Sequence, residues 1–430
     1  MTEATPAAEL EYMYGLERFG IRLGLEVMNQ LMTALGHPEQ AWRSIHITGT
    51  NGKGSTASFL ESSLRQTSLK VGLYTSPHLY TFNERVRVNG QSIADADLIR
   101  LVARIRRIIE AEKLTVTFFE FTTALAFLYF AEQQVDLAII EVGMGGTLDA
   151  TNVITPLISV ITNVGLDHVP ILGTSKDDIA RNKAGIIKSG GIVVTAEKNL
   201  ELLQVFKDVA GEQRATLYQV QRELSVTDIQ SSLQGQTFAV DGRYHGLISI
   251  TLLGQHQIEN ALTAILTLRI LPELGVAITQ QEIQRGLQQA TWEGRLDIVS
   301  DNPFVLVDGA HNADGVAALQ QFLETMSLPP PDVLIFALKK GKDVGEIAQY
   351  IVPLFREVIV TEGTYEPESA ERIAAALRTK IPVTIVPEPA QAVAMGLKKL
   401  RPKRMLLITG SLYMIGDALT ALREQLDSRG

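Results

Sequence analysis

The stretch that most limits how this chain can fold is Thr48-Gly49-Thr50-Asn51-Gly52-Lys53-Gly54-Ser55-Thr56. It follows the apolar run Ile45-His46-Ile47, which reads as a buried strand, and precedes Ala57 to Leu64, whose apolar spacing predicts a helix. Strand, glycine-rich loop and helix in that order let the backbone turn with its N–H groups inward. A lysine and hydroxyls then stand at a helix N-terminus, where the macrodipole favours anions. Gly49, Thr50, Asn51, Gly52, Lys53, Gly54 and Ser55 are therefore expected to cradle a nucleotide's phosphates. The loop departs from the usual G-x-x-x-x-G-K-[ST] pattern, because Ile47 stands where the first glycine belongs and Gly54 separates Lys53 from Ser55. The plainer account, a turn that needs glycine and binds nothing, leaves the lysine unexplained.

At 430 residues, 46% of them hydrophobic, the chain exceeds what one core usually organises, so two domains are expected. Buried runs such as Val135 to Val142, Leu157 to Thr162 and Ile192 to Val194 alternate with predicted helices, among them one over about Asp177 to Lys188. That alternation predicts an α/β fold with a doubly wound, mostly parallel sheet whose ligands gather at the strands' C-terminal ends. Short alternating runs from Thr216 to Leu253, with a turn at Asp241-Gly242, predict a small antiparallel sheet. Alternation of strand and helix restarts beyond Trp292-Glu293-Gly294-Arg295, so residues 1–294 are expected to form the nucleotide-binding domain and 295–430 a smaller Rossmann-like domain.

The formal charge of −9 and the lack of a basic stripe argue against nucleic acid. With no cysteine, thiolate metal sites, disulfides and thiol nucleophiles are excluded. No apolar run is long enough to span a bilayer and no signal-peptide pattern is seen, so a cytoplasmic protein with no membrane partner is expected, and a monomer.

Ser76, Glu141 and His168 each follow or end a strand of the first sheet. An oxygen, a carboxylate and an imidazole on one sheet edge beside a triphosphate make a magnesium site, completed by water and phosphate oxygens. Thr117-Phe118-Phe119-Glu120 reads either as a capped helix start with core phenylalanines or as a wall for a flat heterocycle. Asn260, near a helix start, suits an adenine edge or ordinary capping. Arg295, in the expected hinge, could reach phosphates. Asp308 and His311 flank a turn after a buried strand, a place for ribose-binding or acid–base groups. By its spacing alone, Lys183 reads as a surface lysine.

Taken together, several passages resemble the Mur ligase superfamily, and within it the dihydrofolate synthase/folylpolyglutamate synthase family. They include Gly20-Ile21-Arg22-Leu23-Gly24, the loop Gly49 to Ser55, Ser76-Pro77-His78, Phe118-Phe119-Glu120, Glu141 to Gly146 with Leu148-Asp149, Gly165 to His168, Lys183-Ala184-Gly185, Asn260-Ala261, Gly294-Arg295, Asp308 to Asn312 and Gly410-Ser411-Leu412-Tyr413. The resemblance implies an ATP- and Mg²⁺-dependent ligase that activates a carboxylate of dihydropteroate or a folate as an acyl phosphate and joins it to L-glutamate. It implies that Lys53, Lys183 and His311 serve the reaction, with Lys183 carboxylated on its amine. Asn260, Arg295 and Asp308 would contact ATP, and Ser76, Glu141 and His168 would hold magnesium. Thr117 to Glu120 and Leu148-Asp149 would meet the pterin, and Ser411 and Tyr413 would face substrate. Thr147 stands where that family usually has arginine, and Asn182 where it more often has glutamate. A cell-wall ligase acting on a UDP-linked peptide, and a nucleotide-gated binding protein or simple NTPase, are the alternatives.

Overall fold

The computed structural model describes residues 5–20 and 22–427, so Ile21 of the Gly20–Gly24 passage lies outside the described residues. Eight strands form the first sheet: β1 (Arg43–Thr48), β2 (Val71–Tyr74), β3 (Val86–Val88), β4 (Gln91–Ser92), β5 (Leu137–Glu141), β6 (Ile158–Ile161), β7 (Ile192–Thr195) and β8 (Thr216–Gln219). Their order is β4-β3-β2-β5-β1-β6-β7-β8. Every pairing is parallel except β2 with β3 and β3 with β4. The first strand lies in the middle, flanked by β5 and β6, so the loops leaving β1, β2, β5 and β6 open on one edge.

Strands β9 (Leu224–Ser232), β10 (Gly235–Gly242) and β11 (Gly246–Ile250) form the small antiparallel sheet. It begins later than its alternating pattern predicts. Thr216–Gln219 instead extends the large sheet, in parallel register with Ile192–Thr195. Asp241 and Gly242 end a strand, paired with Ser225 and Leu224, and the chain reverses after them. A four-residue strand at a sheet edge carries too short a pattern to reveal which sheet it joins.

The last sheet comprises β12 (Asp297–Asp301), β13 (Phe304–Asp308), β14 (Pro331–Phe336), β15 (Glu357–Val360), β16 (Val383–Ile385) and β17 (Met405–Thr409), in the order β12-β13-β17-β14-β15-β16. Only β12 runs antiparallel to its neighbour. Buried Val, Ile and Leu on both faces of β13, β14 and β17 pack helices above and below, as parallel strands require.

The helix Lys53–Leu64 is sunk into the first half, with every residue from Ser55 to Leu64 buried. Small residues permit this. The Ser62 hydroxyl donates to the Gly286 carbonyl at 2.7 Å, and a Cβ on Gly286 would lie 2.1 Å from Ser63 Cα. Gly286→Ala should therefore force two backbones apart and lower the melting temperature by roughly 5 °C or more, read by calorimetry. An unchanged melt would mean that this contact is looser than the structure shows.

Candidate active site

The phosphate loop takes its shape from its glycines and from what lies against them. Gly52 caps the helix Lys53–Leu64 with φ of 84°, and a Cβ there would come within 2.3 Å of Asn260 Oδ1. Gly52 thus supplies the left-handed turn and admits Asn260, itself held by a 2.9 Å bond from its amide to Gln257 Oε1. No side chain caps this helix, so its first N–H groups face the loop's concavity. The Lys53 ammonium donates to the carbonyls of Gly49 (3.0 Å) and Thr50 (3.3 Å), two of its three donors.

A cavity of about 300 Å³ opens over this loop and is walled by both halves of the molecule. From the first half come Gly49 to Ser55, Ser76, Glu141, Asp167, His168, Lys183 and Asn260; from the second come Arg295, Asp308, His311 and Asp314. Thr117, Phe118, Phe119, Glu120, Leu148, Asp149, Ser411 and Tyr413 are not part of this wall.

Glu141 ends β5, and its carboxylate accepts the Ser76 N–H at 3.2 Å. Burial raises its pKa, opposed by Lys53 and Arg295. His168 has φ of 52° and stands just before the single helical turn Val169–Leu172. Burial lowers its imidazole to about 4, with Asp167 opposing. Among the described residues no three His, Asp or Glu side chains converge as a preformed metal cage. The Ser76 hydroxyl and the buried Glu141 carboxylate are nevertheless oxygen donors of the kind Mg²⁺ takes, with positions left for water and phosphate oxygens, and the His168 imidazole stands in the same cavity wall. The donor set therefore fits.

Lys183 departs most from its reading as a surface lysine. Its helix runs Lys176–Ala184, ending four residues earlier than predicted, and puts this side chain at 3% exposure. Burial, with Lys53 adding repulsion, lowers the amine to about 7. Thr147 and Asn182 touch: the Thr147 hydroxyl donates to the Asn182 carbonyl at 2.9 Å.

From the second half, Asp308 ends β13 and accepts the N–H groups of Leu296 (2.9 Å) and Ala310 (2.9 Å). Burial raises its pKa, opposed first by Arg295. His311 Nδ1 lies 2.8 Å from the Gly309 carbonyl, which fixes the proton on Nδ1 and leaves the Nε2 lone pair open, 3.8 Å from Asp167. Burial, reinforced by Lys342, lowers this imidazole to about 4.

Two residues that sequence reasoning did not single out join the halves. Asp167 pairs with Lys342, which arrives from the loop after β14. Burial works against the Asp167 carboxylate, yet its pKa is held well below the usual range by His168, Lys342 and His311. Beside it, Asn51 and Asn312 exchange amide hydrogen bonds of 3.3 and 3.0 Å. The signal for Asp167 was its place beside His168; Lys342 had none.

The remaining predicted residues lie outside the cavity. Thr117 and Glu120 form a reciprocal capping box at the start of the helix Phe118–Glu132, and Glu120 Oε2 also accepts from Arg22 at 2.6 Å. Asp149 is buried, accepts from Met144 N–H (2.8 Å) and Thr151 Oγ1 (2.5 Å), and so fixes the loop after β5. Leu148 beside it is exposed. Phe118 stacks on Tyr14, while Phe119 lies against Gly143. Tyr413 lies against Tyr365, ring centroids 4.8 Å apart, and Ser411 is buried two residues beyond β17.

A phosphate-loop half and a Rossmann-like half sharing one charged cavity define the class of two-lobed, nucleotide-dependent ligases. Residues 47–268 match the Mur ligase middle domain and residues 294–412 the Mur ligase glutamate ligase domain. The chain is 36% identical to a dihydrofolate synthase/folylpolyglutamate synthase of Bacillus subtilis, over 96% of this chain and 98% of that one. Folylpolyglutamate synthase structures from Mycobacterium tuberculosis (with ADP and AMPPCP; TM-score 0.87, 29% identity, 97% of this chain and 98% of that chain) and Thermotoga maritima (0.84, 33%, 99% and 98%) share its fold. The chain belongs to the dihydrofolate synthase/folylpolyglutamate synthase family of Mur ligases, and is an ATP-dependent ligase. None of the described helices is long and apolar enough to cross a membrane.

Proposed function

We propose that the protein uses ATP to join L-glutamate to dihydropteroate, to folates already carrying glutamate, or to both, from a nucleotide-binding domain of residues 1–294 and a glutamate-ligating domain of residues 295–430. The observation that carries this reading is the shared cavity, in which the phosphate loop, Glu141, His168 and Lys183 face Arg295, Asp308 and His311. The names of the relatives support the folate substrate over a UDP-linked peptide.

In this reading the loop N–H groups and Lys53 hold the phosphates, with Asn260 toward the base and Asp308 toward the ribose. A carboxylate oxygen of the substrate attacks the γ-phosphorus, and the bond to the ADP oxygen breaks. Lys53 and Arg295 neutralise the charge that builds on the transferring group. The glutamate amine then attacks the acyl carbon and phosphate departs. His311 Nε2, unprotonated at neutral pH, would accept the proton the amine sheds. Ser76, Glu141 and His168 would hold Mg²⁺, which supplies charge neutralisation at the phosphates when bound. Thr117 to Glu120, Leu148-Asp149, Ser411 and Tyr413 are assigned to the pterin and glutamate ends of the substrate.

Closure over the cavity, tied by Asp167 with Lys342 and Asn51 with Asn312, would keep water from the acyl phosphate. Phosphate release should therefore need both a pteroate or folate acceptor and glutamate. A coupled assay with dihydropteroate, and separately with tetrahydrofolate, measures this. Release indifferent to both acceptors and glutamate would indicate a simple NTPase, and release driven only by a UDP-linked peptide a cell-wall ligase.

A further inference from the structure

Gly54 is the residue that breaks the usual phosphate-loop spacing, and its backbone does not demand glycine, since it lies inside the helix Lys53–Leu64 without a left-handed φ. What demands it is a neighbour. A Cβ on Gly54 would lie 2.8 to 3.0 Å from Cζ2, Nε1 and Cε2 of Trp292. The indole therefore rests directly on the backbone of the helix's first turn, one residue beyond Lys53.

Trp292 belongs to a strap that runs back along this helix. Gly54, Ser58 and Ser62 recur every fourth residue and so share one helical face. Ser62 Oγ donates to the Gly286 carbonyl at 2.7 Å, Ser58 Oγ donates to the Thr291 carbonyl at 2.9 Å, and the glycine receives the indole. Two residues beyond Trp292 the strap enters the second half: the Gly294 carbonyl accepts the Gly309 N–H at 2.8 Å, and the Leu296 N–H donates to Asp308 at 2.9 Å. Arg295, between them, lies in the cavity wall. The guanidinium of Arg87 sits 5.9 Å from the Trp292 ring centroid and closes its outer side.

We propose that Trp292 is a positioning residue for nucleotide binding, an aromatic clamp that seats the interdomain strap on Gly54 and so fixes the phosphate loop and Arg295 relative to each other. The extra glycine of the loop exists to receive this ring. The proposal rests on the phosphate-loop reading above and adds a residue outside the cavity.

Binding of ADP, followed by calorimetry, tests it on the full-length protein. Trp292→Ala should weaken ADP binding about tenfold and raise the KM for ATP in parallel, with a smaller change in the KM for glutamate, while Trp292→Phe stays close to wild type. Gly54→Ala should weaken binding by a similar factor in the wild-type background and much less in the Trp292→Ala background, because the clash partner is gone. Trp42 is the only other tryptophan, so in a Trp42→Phe background the emission of Trp292 should shift when ADP binds. Wild-type binding matched within twofold by Trp292→Ala, or equal losses from Gly54→Ala in both backgrounds, would overturn the clamp. Failure of the wild-type protein itself to bind ADP would instead overturn the nucleotide reading.

Discussion

Lys53→Ala is expected to lower the rate of amide formation by about 10²- to 10³-fold while leaving the fold and melting temperature nearly unchanged. The hydrogen bonds of this lysine go to two carbonyls of its own loop, so its removal breaks no hydrogen bond between elements. Its third donor points no helix or strand into place. What disappears is a positive charge at the site where a phosphoryl group gains negative charge in transfer, and loss of a group active there lowers kcat as well as binding. The test is steady-state phosphate release at saturating ATP, beside a thermal melt. A variant with full kcat and only a raised KM would assign Lys53 to ground-state binding alone. A variant with neither change would remove this loop from the chemistry.

What could be read in the sequence divides along physical lines. Glu141, His168 and Lys53 were legible because each is fixed by its own strand: a buried parallel strand delivers its last residue and its following loop to one sheet edge, whichever other strands surround it. The capping box at Thr117 and Glu120 was legible as one of two readings because both partners lie within one turn. Lys183 was misjudged from spacing because its helix segment is largely polar, and that polarity does not reveal that Lys183 shares the buried face with Ile179, Ala180 and Ala184. Only the matching passage around it pointed elsewhere. The pairing of Asp167 with Lys342, 175 residues away, depends on how two separately folded sheets meet, and no local pattern encodes that. The placement of Thr216–Gln219 was lost for a related reason: an edge strand's sheet is chosen by tertiary packing, not by its alternation.

Lys183→Ala is expected to abolish measurable ligation, and acetate is expected to restore part of it. The amine sits at 3% exposure, where an ammonium would be poorly solvated, and burial brings its pKa to about 7. The sign of the pH effect follows. Below about 7 the folded protein holds a buried cation. Above it the neutral amine predominates, and only that form adds carbon dioxide, losing a proton to become an anionic carbamate. Lysine at its ordinary value of 10.5 would be almost wholly ammonium at pH 7.5 and would react little. Carbon-13 NMR of the wild-type protein in labelled bicarbonate should show a carbamate carbon that grows between pH 6 and 8, a signal independent of turnover. The Lys183→Ala variant should lack it, and a small carboxylate diffusing into the vacated space would supply the missing negative charge. A wild-type spectrum without that carbon, together with no acetate rescue, would leave Lys183 as a neutral buried amine.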